Sequence, residues 1–332
     1  NINQYSNIIN IEWNNIQTIE KLDYGDSNYY LLVTFFNENK NIINKVLLKT
    51  SSTIAQEVYA SVLENILKLP IPAMRLLDFS MDEYFDMSRN LLNCSTNDQG
   101  LNEFIKYEIL DKSFILVMEY RENGKRFNEL NHKEYFSGKK GEKKYRQLGR
   151  IMAFELFCNS FFRASPSNWD ENTFFSNLIF YESPSKNGWY FSLINSNIIC
   201  LSNSIFTSVY RDHINKIKLF LFSIFQNPNS ESTQLKLMKD HLNKYLNIYL
   251  TSSSSVYIQK GIAKGIKSMV KSLSLPILED TKEKLKGIVK MDNNNIWKKG
   301  IDSIYCPFLL DVLDEIALEY STNYREKTYF VK

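Results

Sequence analysis

The sequence predicts an α+β fold of two unequal lobes: a small β-rich lobe with one main helix, then a larger, mainly helical lobe. Three observations carry this. Short runs rich in Ile, Val, Tyr and Phe alternate with polar turns in the first part of the chain. Long stretches with apolar residues at helical spacing fill the rest. The one hairpin pattern in that second part, "NLIFY" with "WYFSLI", follows a long helix. The division falls near residue 120, which gives lobes of 1–120 and 121–332 within one unit.

In order, "IINIEW", "YYLLVTFF" (29–36) and "INKVLLK" (43–49) are strand candidates separated by "YGDSN" and "NENKN", and they read as an antiparallel meander. A helix follows. Ile54, Val58, Val62 and Ile66, with Tyr59, Leu63 and Leu67, form its apolar stripe. Thr53 and Gln56 have capping-box spacing, and Pro70 and Pro72 stop it. "MRLLDFS" and "SFILVMEY" (113–120) are strands, and "RENG" breaks the pattern. "SGKKGEKKYR" (137–146) reads as a solvated basic loop before a long helix with Leu148, Ile151, Met152 and Leu156 on one face. Further helices are expected over 212–225, 234–250, 256–273 and 308–320, with "TSSSS" as an interhelical loop and a polar turn at 183–188 inside the hairpin. The basic amphipathic stretch 257–273 reads as a lobe helix with a solvated Lys edge, in preference to a docking face for an acidic partner or a membrane.

Composition narrows the function classes. A chain of 332 residues, 44% hydrophobic, can build the core of two lobes. Forty Lys and Arg against 37 Asp and Glu leave a formal charge of +3, too weak a bias for nucleic acid or an anionic membrane. Four Cys without a C-x-x-C pair read as reduced thiols of a cytosolic protein. Three separated His make no zinc pattern. Apolar runs such as "LFLFSIF" are too short to span a bilayer, and no targeting segment is visible. The chain is expected to be soluble and cytoplasmic. It begins with Asn, not Met, so it is expected to be trimmed from a longer one. It is also rich in Asn, so a single Asn that matches a motif carries little weight.

Protein kinase-like folds have this element order, with a nucleotide in the cleft between the lobes. Phosphoryl transfer is mostly positioning and charge neutralisation. It needs a Lys on the phosphates held by a Glu, a backbone cradle, a carboxylate and an Asn for Mg²⁺, and an Asp beside the incoming hydroxyl. Lys49 ends the third strand and Glu57 lies early in the next helix, so the two are expected to meet across the turn. Singly, each has a plainer reading: a solvated strand-end lysine, and an acid favoured at a helix start by the macrodipole. Gly25, in "KLDYGDSNYY", is the one glycine offered as a cradle, with Asp26 and Tyr29 beside it. Glu119, at the end of the strand leading out of the small lobe, completes the nucleotide-binding candidates.

Two stretches resemble the catalytic domain of the actin-fragmin kinase family: "VLLKTSSTIAQEVYASVLENILKLPIPAMRLLDFS" (46–80) and "LGRIMAFELFCNSFFRASP" (148–166). In the first, Lys49, Ser51, Glu57, Ala60, Ser61, Pro72 and Arg75 take the family's places; in the second, Leu148, Gly149, Phe154, Asn159 and Arg163 do. The resemblance covers residues from about 25 to about 201. It implies a kinase-like fold and phosphorylation of a Thr on actin. It also implies losses. The family's catalytic Asp falls at Phe162, whose ring cannot take a proton, and losing a positioned base costs typically ~10²–10⁴-fold in rate. Asn177 matches the metal-binding Asn. The metal-binding Asp falls at Asn195 in "LINSN", and an amide brings no charge to Mg²⁺, a hard cation that prefers carboxylates.

Degraded loops on such a scaffold read as a pseudokinase with weak or no phosphotransfer. It would be a binding or regulatory module for a protein partner such as actin or an actin-binding protein, with ATP an open ligand and Mg²⁺ doubtful. A second reading stays open: an active, atypical Ser/Thr protein kinase that uses Asp170 as base and Asn177 at the metal. Asp170, in "SNWDENTFFSN", lies closer to Asn177 than Phe162 does. The plainer reading of Asp170 is a solvated loop acid, and that of Asp212, another candidate acid, is a helix cap. A helical interaction protein with a coincidental element order is the third.

Overall fold

The structure, a computed structural model, describes residues 6–24, 28–37, 42–158, 175, 177–182, 188–196, 198–200, 208–246, 248–251 and 253–322. Strands β1 (Ile16–Leu22), β2 (Tyr29–Asn37) and β3 (Ile42–Thr50) form the meander. With β4 (Met74–Asp78) and β5 (Phe114–Glu119) they make an antiparallel sheet of order β1-β2-β3-β5-β4. Successive side chains alternate between faces, and both faces are covered. Tyr30, Leu47, Leu116 and Met118 enter the core shared with the helical lobe. Leu31, Val33, Val46, Leu48, Ile115 and Val117 enter a second core. Burial on both faces explains why β2, β3 and β5 read as near-continuous apolar runs.

The second core corrects one expectation and adds to another. "IINIEW" is not a strand: α1 (Ser6–Ile9) and a short helical turn at Trp13–Asn15 place Ile8 and Trp13 in that core, with Trp13 edge-on to Phe35 at 5.5 Å. The first strand begins at Ile16. Its apolar residues recur every third position: Ile16 and Ile19, on either side of an irregular register between Ile16 and Thr18, pack on the second core, and Leu22 packs on the core shared with the helical lobe. The small lobe also carries more than its one main helix, α2 (Ile54–Ile66). Helix α3 (Asp82–Cys94) buries Tyr84, Met87 and Leu91, and Ile105 and Ile109 follow α4 (Gln99–Phe104) into the same core.

Thr53 precedes α2, but its side chain makes no cap bond. Thr53 Oγ1 turns to Glu57, and Gln56 Nε2 donates to Ser303 Oγ at 3.0 Å, so the capping box does not form. The helix stops before the prolines. Lys68 takes a left-handed φ of 55°, Lys68 N donates to Asn65 O and Leu69 N to Glu64 O, which is a Schellman turn.

In the large lobe, α5 (His132–Tyr135) and α6 (Gly138–Phe157) precede the hairpin of β6 (Leu178–Phe180) and β7 (Phe191–Leu193). The basic segment is the first turns of α6, not a loop. Lys144 within it is buried, donating to Tyr135 O at 2.6 Å and to Glu182 at 2.9 Å. Then come α7 (Ser208–Phe225), α8 (Thr233–Leu246), α9 (Ser254–Ser272), α10 (Leu275–Lys286), α11 (Ile296–Asp302) and α12 (Cys306–Tyr320). Periodicity did not single out α10 and α11. Asp212 lies inside α7 and is exposed, so it caps nothing. Among the described residues no helix is long and apolar enough to cross a membrane.

Helices α6 and α9 cross with their backbones nearly touching. A Cβ on Gly149 would stand 2.0 Å from Ile258 O, and one on Gly261 would stand 2.2 Å from Arg146 O. Gly149→Val is therefore expected to cost at least about 1–3 kcal/mol in urea unfolding. Gly287→Ala, whose nearest neighbour would be 3.8 Å away, is expected to change stability by no more than about 0.5 kcal/mol. An unchanged midpoint for Gly149→Val would mean that the two helices part easily.

Candidate functional site

Lys49 stands near the end of β3, opposite Tyr30 of β2 and Leu116 of β5. Glu57 lies in the first turn of α2, a favourable place for an acid. The turn between them is tight enough that they meet: Lys49 Nζ is 2.6 Å from Glu57 Oε2, with relative exposures of 1% and 5%. The other carboxylate oxygen accepts from Ser51 Oγ at 2.5 Å and Thr53 Oγ1 at 3.2 Å. Lys49 donates a second bond to Asn195 Oδ1 at 3.0 Å, across 146 residues of sequence. The free space in this chamber is about 10 Å³, at the lower limit for one water.

The hairpin delivers the two asparagines. Asn177 precedes β6, Asn195 follows β7, both are buried, and Ile194 N donates to Asn177 O at 2.9 Å. The hairpin is pinned to the linker after α2 by Leu193 N donating to Pro70 O at 2.8 Å. Sequence reasoning missed the next layer. Ser196 Oγ donates to Glu64, two turns beyond Glu57 on the same face of α2. Burial pushes the Glu64 carboxyl up to about 8; Glu155 adds to the rise, while Ser196 and Lys49 oppose it. The available signal was the i, i+7 repeat of acids on a face whose intervening residues, Ala60 and Ser61, are small.

A cleft of about 170 Å³ opens beside this chamber. Leu22, Tyr24 and Leu47 of the sheet side roof it, and Ile179, Ser192 and Ile194 of the hairpin floor it. Glu119 is at its back, its carboxylate turned to Ala73 N at 3.3 Å and Arg121 at 3.5 Å. Arg126 lies over the Tyr24 ring at 5.1 Å. The structure thus brings Lys49, Glu57 and Asn195 together, holds Asn177 at the same hairpin end, and sets Glu119 apart at the cleft. Gly25, Asp26, Asn159, Phe162, Arg163 and Asp170 lie outside the described residues.

The donors fit Mg²⁺ poorly. Asn177 and Asn195 bring no charge, and Asn195 Oδ1 already accepts from Lys49. Among the described residues no group of three or more His, Cys, Asp or Glu could hold a metal.

A five-stranded sheet lobe with its lysine–glutamate pair, set on a helical lobe that contributes one hairpin, defines a kinase-like protein. The model of the actin-fragmin kinase catalytic domain matches residues 1–266, further than the two motif stretches reach. Three Dictyostelium discoideum proteins provisionally named actin-fragmin kinases are similar. One is 58% identical across all of this chain and 86% of its own length. A second is 61% identical over 98% of this chain and 79% of its own length. A third is 52% identical over 96% and 76%. The chain belongs to the actin-fragmin kinase family.

Removing one member of the buried pair strands the other. Glu57→Gln is expected to cost about 3–5 kcal/mol in guanidinium unfolding, and Lys49→Met with Glu57→Leu to recover much of it. Equal losses in the single and double variants would show that the pair's packing, not its charge, matters. Glu64 yields a pH prediction. Its folded pKa lies above the unfolded value of 4.5, so its contribution is full below about pH 4.5 and is lost as pH rises through about 8. Glu64→Gln should flatten that fall, a change on the order of a few kcal/mol. Parallel pH profiles for the two proteins would place the titrating group elsewhere.

Proposed function

We propose that this chain is a kinase-fold protein of the actin-fragmin kinase family with weak or no phosphotransfer, acting as a binding or regulatory module. The observation that carries the reading is the Lys49–Asn195 hydrogen bond. A phosphotransferase needs a carboxylate near the lysine to hold the metal that neutralises the phosphates. Here an amide takes that place, and its oxygen is spent on the lysine. Among the described residues the further acid that lines the chamber is Glu64, whose carboxyl burial pushes up to about 8. What the residues do well is hold α2, the sheet and the hairpin in one arrangement.

The partner we propose is a protein, actin or an actin-binding protein, which rests on the names of the relatives and on family membership. Family resemblance alone does not carry an activity over. The test is transfer of labelled γ-phosphate from ATP to actin in the presence of Mg²⁺, with Lys49→Met as the blank. Transfer no greater than the blank is the expected result. Transfer that needs Lys49 and is lost in Asp170→Asn would establish instead an active Ser/Thr kinase using Asp170.

A further inference from the structure

We infer that the cleft takes a nucleoside and not a nucleoside triphosphate, because the ring of Tyr30 closes Lys49 off from it. The inference rests on reading the cleft as the nucleotide site. The cleft has the shape for a flat ring system: Leu22 and Leu47 above, Ile179 and Ile194 below, and polar groups of Glu119 and Ser192 at its edge. Its volume of about 170 Å³ is below the roughly 300–1,000 Å³ of sites that bury a drug-sized ligand. A base fits such a space, with its sugar toward the mouth.

A phosphate chain would have to run from the cleft to Lys49. A run of neighbouring side chains links the cleft lining to Lys49 along that path. Arg126 lies 5.1 Å from the centre of the Tyr24 ring. Tyr24 meets Tyr30 edge-on at 4.7 Å. Lys49 Nζ lies 5.6 Å from the centre of the Tyr30 ring. The sheet register puts Tyr30 opposite Lys49, on the face toward the large lobe, and its side chain is fully buried. A kinase covers phosphates with glycine-rich backbone so that N–H groups can approach them. A phenol ring opposite the lysine does the reverse. Lys49 already holds Glu57 and Asn195, in a chamber with about 10 Å³ of free space. A phosphate would have to displace both the ring and a charge-matched partner.

The test is isothermal titration of the unmodified chain with adenosine, with ATP in EDTA, and with ATP and Mg²⁺. Adenosine is expected to bind at least ten-fold more tightly than ATP, and Mg²⁺ to leave the ATP value unchanged. Tyr30→Val, which keeps strand propensity while opening the path, should narrow the ratio by ten-fold or more. ATP binding as tightly as adenosine to the unmodified chain would overturn the inference and leave the nucleotide reading standing. Failure of both ligands to bind would overturn the two together. Should Tyr30→Val not fold, the ratio in the unmodified chain decides by itself.

Discussion

Lys49 and Glu57 face each other at 2.6 Å where almost no water reaches, and much of the architecture follows from making that arrangement tolerable. Desolvating an ammonium and a carboxylate costs several kcal/mol for each ion, and their attraction offsets the cost only when the remaining hydrogen-bonding capacity is met. Ser51 and Thr53 meet it for Glu57, and Asn195 meets it for Lys49. These partners come from the turn after β3, the approach to α2, and the end of the hairpin. Sheet, helix and hairpin cannot shift independently without leaving a buried charge short of a partner.

The helix that carries Glu57 is also held from outside. Tyr59 OH donates to Leu278 O at 3.0 Å, Gln56 reaches Ser303, and Gly300 lets α11 lie directly against Ala55. Trp297, almost fully buried, packs on Phe114 of β5 at 5.5 Å. These contacts come from α10, α11 and the residue after α11, beyond the 1–266 stretch matched by the family model. The segment from α10 to the residue after α11 therefore returns to brace the small lobe, and Glu57 is placed before any ligand is considered.

The charge inventory of the cluster bears on what the chamber can accept. A second carboxylate at position 195 would leave the lysine shared between two acids, so that one could turn to a metal while a phosphate took its place on the lysine. With an amide there, the ammonium and one carboxylate balance, and Glu64 behind them avoids adding charge by staying protonated. A cluster that is already neutral and nearly solvent-free has little to gain from an anion and much to lose by opening.

Much of this was legible in the residues. Strands β2 to β5, helices α2 and α6, and the β6–β7 hairpin announce themselves because their burial is periodic along the chain, and local period is what a sequence records. The nearness of Lys49 and Glu57 was legible for the same reason: they are eight residues apart across one turn. Strand β1 and helix α3 were not, because their apolar residues become sufficient only against the second sheet face, which exists only once the sheet has assembled. Nor was Lys144, which sequence placed in solvent and the structure buries against Tyr135 and Glu182. The sequence by itself determined the two-lobed plan and the nearness of the lysine and the glutamate. Tertiary structure alone decided that the Asn195 amide binds the lysine, that the Tyr30 ring packs between Tyr24 and the lysine, and that burial raises the Glu64 carboxyl. Each of those depends on which groups exclude water from one another, and that is settled by packing between segments far apart in the chain.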